Sequence, residues 1–234
     1  MAQKKLIRFA EVETFANVLQ YPKNIKGKWA GFFNNGNPIT VELACGKGEY
    51  AVGLGRMYPE NNFIGVDVKG NRIWKGAKTA LQESLANVAF LRTQMDRITE
   101  YFDKDEVQEI WITFPDPQLR LSKIKKRLTH PKFLRLYRRF LQADGLVHLK
   151  TDSPSLYNFT KAVIQMYNLE LLTDMDDIHS SRSITQELQI KTHYESLDIA
   201  GSNKVHYLCF KLTSHLDQDK DEALKNMFRE QEAG

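Results

Sequence analysis

An α/β fold built on a doubly wound, mostly parallel sheet is what this sequence predicts. Two observations lead there. Between about Ile39 and Leu212, short apolar runs of strand type alternate with longer segments of helix type. The first of those runs also ends in a glycine turn that opens a helix, and sheets of this kind bind ligands just beyond the carboxyl ends of their strands.

Taken in order, residues 39–44 (ITVELA) read as a buried strand, and residues 49–58 (EYAVGLGRMY) as the helix after the turn. Residues 63–68 (FIGVDV) form a second strand and residues 71–85 a second helix. Residues 88–93 and 107–114 are the third and fourth strands. Residues 130–141 (HPKFLRLYRRFL) carry helical periodicity, with Pro131 placed for a first turn. Gly145 opens a fifth strand, residues 155–167 form a helix, LELLTD gives a sixth strand, and residues 204–212 a last one. Seven strands result. The expected division is a lead-in arm over 1–37, one α/β domain over 38–213, and a charged tail or helix over 214–234.

Composition narrows the class. A hydrophobic fraction of 42% can bury a core, whereas a formal charge of +4 says little until its distribution is read. Cys45 and Cys209 lie far apart without a paired motif, so a disulfide framework is not expected and a reducing cytoplasm is. No run approaches the roughly 18 apolar residues of a membrane span or the profile of a signal peptide. The histidines show no metal-ligand spacing, and no metal is expected.

The chemistry-bearing residues fall at strand ends. Glu42 precedes a turn in which Gly46 and Gly48 permit close backbone approach to a ligand. Asp67 ends the second strand, where a ribose diol is held in such sheets, and Asp96 follows the third, placed to accept from an adenine amino group. A dinucleotide site would need glycine at 51, where Ala51 stands; a plain strand–turn–helix junction remains the bland alternative. The fourth strand ends in Phe114-Pro115-Asp116-Pro117, in which two prolines stiffen the backbone around one carboxylate. A run of nine cations without an acid follows: Arg120, Lys123, Lys125, Lys126, Arg127, Lys132, Arg135, Arg138 and Arg139, suited to a polyanion. Lys150-Thr151-Asp152 ends the fifth strand. Thr192-His193-Tyr194-Glu195 precedes the last, its Thr and Glu spaced equally well for a helix capping box.

In this order, VELACGKGEY, IGVDVK, FPDP with KKRL, HLKTD and a T-x-Y-E motif resemble the bacterial tRNA (guanine-N7)-methyltransferases over about residues 38–212. The resemblance implies a Rossmann-like methyltransferase fold with its last strand antiparallel, S-adenosylmethionine as cofactor, and methyl transfer to guanine N7 in the tRNA variable loop. It implies cofactor contacts at Glu42, Gly46, Gly48, Asp67, Asp96 and Asp116, with Asp116 also catalytic. Substrate contacts are implied at Arg120, Asp152, Thr192, His193, Tyr194 and Glu195, and RNA contacts at Lys123, Lys125, Lys126 and Arg127. The chain departs from the family where Ala44 replaces the usual first glycine and where Gln118-Leu119-Arg120 lacks the usual tryptophan. Lys123 stands at a histidine position, and Ser196 stands where a phenylalanine usually follows Glu195. Methylation of another base position, or a tRNA-binding module without catalysis, are the competing functions; monomer and homodimer both stay open.

Overall fold

The computed structural model describes residues 2–181, 184–197, 201–213 and 215–233. Its strands are β1 (Val18–Gln20), β2 (Ile39–Leu43), β3 (Asn62–Asp67), β4 (Val88–Arg92), β5 (Val107–Thr113), β6 (Leu141–Thr151), β7 (Glu170–Met175) and β8 (His206–Lys211). Helices are α1 (Ala2–Thr14), α2 (Trp29–Phe33), α3 (Glu49–Met57), α4 (Gly70–Gln82), α5 (Pro131–Tyr137), α6 (Pro154–Met166) and α7 (Lys220–Ala233).

The strands make one sheet in the order β1-β4-β3-β2-β5-β6-β8-β7. Strands β1 to β6 pair in parallel, while β8 runs antiparallel to both β6 and β7. The eighth strand, beyond the seven read from sequence, is β1: three half-buried residues on the parallel edge beside β4. Three residues are too few to carry a periodic signal. Every residue of β2 and β3 is buried, as expected of central strands with helices on both faces.

The chain turns to opposite faces on either side of β2. One face carries α3, α4 and the segment around Ile178 and Leu188, packed with Tyr50, Ile73, Ala77, Phe90 and Trp111. The other carries α2, α5, α6 and α7, with Trp29, Phe133, Tyr137, Phe159 and Leu224 in its core. Helices leaving β2 and β5 therefore diverge, opening a crevice at the carboxyl edge between those two neighbours.

Local sequence explains where elements stop. α5 and α6 each start with proline, behind His130 and Ser153 caps whose side chains accept from Lys132 N at 3.0 Å and Leu156 N at 3.3 Å. α5 ends at Tyr137, short of the expected residue 141, because Leu141 already pairs with Val107 as the start of β6. Phe140 and Leu141 stay buried in the same core, so the apolar pattern continues after the helix has ended. The charged ends also pack as helices. In α1, Val12 is buried and Glu11 accepts from the Trp74 indole. In α7, Asp221 holds Arg135 and, at 2.6 Å, the Tyr167 hydroxyl. Among the described residues no helix is long and apolar enough to cross a membrane.

Candidate functional site

The turn after β2 forms a tight hook. Ala44, Gly46 and Gly48 adopt left-handed φ values of 53°, 55° and 70°. A side chain on Gly48 would fall 2.4 Å from Phe90 Cε1, so only glycine fits there. The carboxylate of Asp67 braces this hook from β3. Its oxygens accept from Gly46 N at 3.0 Å and Lys69 N at 2.8 Å.

Glu42 lies beneath the hook, 2% exposed. One oxygen accepts from Ala51 N and the other from the Thr113 hydroxyl, both at 2.9 Å. Its carboxylate thus ties the first turn of α3 to the end of β5. Burial pushes the Glu42 carboxyl up to about 8. The resemblance implies a ligand contact here; in the structure each oxygen takes one donor from the chain, as the two oxygens of Asp67 also do.

Asp96 and Asp116 complete a row of acids along the carboxyl edge. Asp96 is exposed at the start of a 3-10 turn (Met95–Glu100) and pairs with Lys132 of α5. Asp116 is exposed, and its Oδ1 accepts from Gln118 N at 3.0 Å. That is the Asx-type turn a Pro-Asp-Pro sequence favours. Phe114 and Gln118 on either side take left-handed φ values of 45° and 48°.

The basic run does not act as one surface. Arg120, Lys123, Lys125 and Lys126 are exposed around a 3-10 turn (Leu121–Lys126) beside Asp116. Arg127, expected to meet RNA, is instead 3% exposed. Its guanidinium donates to Pro117 O at 3.1 Å and Ser155 Oγ at 3.2 Å, and lies 4.6 Å from the Phe159 ring centre. It ties the FPDP loop to α6, and burial removes it from any phosphate path. Arg138 and Arg139 line a separate cleft with Lys26 and Asp103, away from the FPDP loop.

The T-x-Y-E segment folds back over the glycine hook. Gly46 faces Tyr194, whose Cε2 would sit 3.5 Å from an added Cβ, and Arg72 lies 5.6 Å from the Tyr194 ring centre. Thr192 and Glu195 do form the reciprocal cap: Thr192 Oγ1 accepts from Glu195 N at 3.1 Å, and Glu195 Oε2 accepts from Thr192 N at 3.4 Å. His193 is exposed. Asp152 and Glu195 line one cleft beside it, with Lys191 and His179.

Lys150 was visible in sequence only as a neighbour of Asp152. It is 0% exposed, and its ammonium donates to Leu188 O at 2.9 Å, Ile190 O at 3.0 Å and Glu195 Oε2 at 2.9 Å. Burial lowers its pKa, and Glu195 opposes that shift. Tyr50 and Phe114 flank the ammonium, with ring centres at 5.3 and 5.7 Å. Nothing in residue spacing could have found this pin, because its acceptors, two carbonyls and the Glu195 carboxylate, lie some forty residues away.

A glycine hook at a sheet switch point, edged by acids, is where open α/β folds take a ligand, and the comparisons narrow the class. A family model described as a putative methyltransferase matches residues 36–208, and a solved "antibiotic related methyltransferase" shares the fold, with TM-score 0.59 at 13% identity over 84% of this chain and 96% of that one. A tRNA (guanine-N(7)-)-methyltransferase of Porphyromonas gingivalis is 46% identical over 213 residues, 86% of each chain. Another from Christiangramia forsetii is 44% identical, covering 90% of this chain and 99% of that protein. The chain belongs to the tRNA (guanine-N7)-methyltransferase family.

Proposed function

We propose that this enzyme transfers a methyl group from S-adenosylmethionine to N7 of a guanine in the variable loop of tRNA, in the cytoplasm. The observation that carries the reading is the convergence of the hook, the FPDP loop and the T-x-Y-E segment on one crevice, in a chain of this family.

The donor set suits that cofactor. The backbone of Gly46 and Gly48 can approach it closely, Asp67 can receive a ribose diol, and Asp96 keeps its second oxygen open beside Lys132. Glu42 contributes by bracing the hook. When bound, the group supplies an electrophilic methyl carbon on a sulfonium.

Guanine N7 carries a free lone pair in the neutral base, so no general base is required, and the absence of a Ser-His or Cys-His pairing in the motifs agrees with that. What this chain must do is align the acceptor and exclude water; such alignment contributes roughly 7–11 kcal/mol. The methylated base carries a positive charge. Asp116, on its stiff Pro-Asp-Pro turn, holds the guanine edge and stabilises that developing charge. Asp152, Thr192, His193, Tyr194 and Glu195 frame the acceptor from the other side, and Arg120, Lys123, Lys125 and Lys126 hold the RNA backbone.

Mass spectrometry of tRNA nucleosides after incubation with labelled cofactor tests the reading, and label in 7-methylguanosine is the expected result. Label in any other nucleoside refutes the N7 assignment. Replacing Asp116 with Ala should slow single-turnover methylation at saturating tRNA at least tenfold; a wild-type rate removes Asp116 from catalysis.

A further inference from the structure

A guanine inside an RNA chain has a phosphate on each side. A crevice that takes such a base must let the backbone enter and leave. The exposed cations at 120–126 follow β5 and lie on the sheet face that carries α5 and α6. They offer one path, and the other direction needs a second.

The opposite face carries a second set of cations. Between α3 and α4 runs a cleft of about 450 Å³ whose charged walls are Lys47, Arg56, Lys75 and Lys191, with one acid, Glu49. Arg56 is taken by Glu83 at 2.6 Å. Lys47, Lys75 and Lys191 pair with no carboxylate among the described residues, and Lys75 and Lys191 are exposed. Lys47 belongs to the glycine hook itself, so the cleft begins where the crevice ends.

Two of these cations, Lys47 and Lys75, also face one another. Burial lowers the pKa of Lys47, and Lys75, Arg8 and Arg72 lower it further against the pull of Glu49. A cluster that repels itself in the free protein gains most from an anion laid across it. The cleft is lined besides by Gly53, Thr79 and Ile190, so it presents a shallow floor between cationic rims.

We propose that this α3–α4 cleft is a second RNA-backbone site, and that the tRNA strand crosses the carboxyl edge of the sheet from the 120–126 turn past Asp116 to Lys47, Lys75 and Lys191. The reading rests on tRNA being the substrate. It makes residues 190–195, in which Ile190 and Lys191 line the cleft and the T-x-Y-E motif follows directly, the bridge between the base and the second phosphate path.

The experiment uses Lys75→Gln/Lys191→Gln and, as a partner, Lys123→Gln/Lys125→Gln. All four lysines are exposed and pair with no acid in the ion pairs above, and thermal unfolding of each variant checks that the fold is kept. Each lost phosphate contact to a single strand removes about 0.7 from the slope of log affinity against log salt. The Lys75/Lys191 variant should therefore lose about 1.4 in slope, and about tenfold or more in tRNA affinity at 0.1 M salt. Two single-stranded RNA probes then locate the path: one carries the guanosine with a tail only on its 5′ side, the other only on its 3′ side. Each variant should lose the affinity gained from one tail and keep that gained from the other, in a crossed pattern. A wild-type slope for Lys75→Gln/Lys191→Gln, or loss on the same tail for both variants, overturns the inference. If wild-type enzyme methylates tRNA while that slope is unchanged, only this inference falls; if it neither binds nor methylates tRNA, the proposed function falls and this falls with it.

Discussion

Replacing Lys150 with Met tests how the T-x-Y-E segment is held over the crevice. The change deletes a 0%-exposed ammonium and its bonds to Leu188 O, Ile190 O and Glu195 Oε2, at 2.9–3.0 Å. Removing one partner of a buried ion pair costs about 3–5 kcal/mol when the other stays buried. The segment has an alternative. Lifting it exposes Leu188, 3% exposed, and the half-buried Ile190, a loss of roughly 2–4.5 kcal/mol together. The two costs are comparable, and lifting also returns Glu195 to water, so the variant should release the segment locally and keep the sheet. Hydrogen exchange of the amides over 188–197 should rise by a factor of ten or more while protection in β2, β3 and β5 is unchanged. Since 1 kcal/mol moves the Tm of a chain this size by about 2–4 °C, Tm should drop by no more than about 10 °C. With the segment loose, KM for tRNA should rise before kcat falls. A double-mutant cycle with Glu195→Gln gives the sharper test. The reasoning predicts a coupling of at least about 1 kcal/mol. Additive effects, or unchanged exchange over 188–197, would refute it.

Three further outcomes follow from the same geometry. Glu42, with its carboxyl raised to about 8 against 4.5 when unfolded, contributes stability that is complete below pH 4.5 and is lost as pH rises through 8. Glu42→Gln should therefore flatten the decline in urea-unfolding free energy between pH 5 and 9, a decline on the order of a few kcal/mol in the wild type; equal slopes would contradict the assignment. His130 caps α5 through an unprotonated ring nitrogen, and burial lowers its pKa to about 4. That stability is present above pH 6.5 and is lost as pH falls through 4, so His130→Asn, which keeps a capping acceptor, should lessen acid sensitivity between pH 6.5 and 4 in the same assay. Ala44 holds a φ of 53°, a region costing a non-glycine residue roughly 1–2 kcal/mol. Ala44→Gly should raise stability by about 0.5–1 kcal/mol after the extra backbone entropy of glycine, and calorimetry showing a loss would mean the turn is not strained.

Much of the fold was legible because its signals are local. A short, β-branched apolar run such as ITVEL, followed by a glycine turn, reads as a central strand, and the hook after it announces itself through Gly46 and Gly48. The acids at 67, 96 and 116 did land on the carboxyl edge that alternation predicts. Their partners were not legible. Charge alone put Arg127 among the RNA contacts, because a sequence cannot tell that Leu128 and Thr129 after it turn inward and take the guanidinium with them. The bracing role of Glu42 was not legible because the hydroxyl that shares it, Thr113, lies 71 residues away. Lys191 gave no signal, since a lone lysine matters only once α3 and α4 stand beside it.

Three buried side chains share a purpose. Each of the three loops around the crevice ends in irregular backbone, and left-handed non-glycine residues sit at two of the adjoining strand ends, Ala44 after β2 and Phe114 after β5. Backbone of this kind persists only where its surroundings over-determine it. A buried side chain does so for every loop. Glu42 joins the hook to Thr113, Arg127 joins the FPDP turn to α6, and Lys150 joins the T-x-Y-E segment to β6. Chemistry that needs no general base depends on alignment, and alignment is lost when supporting groups shift by about an ångström. These buried side chains therefore serve turnover by fixing the loops. Removing any of the three should disturb turnover through geometry, whereas Asp116→Asn, which keeps an acceptor for Gln118 N, should disturb it with every loop in place.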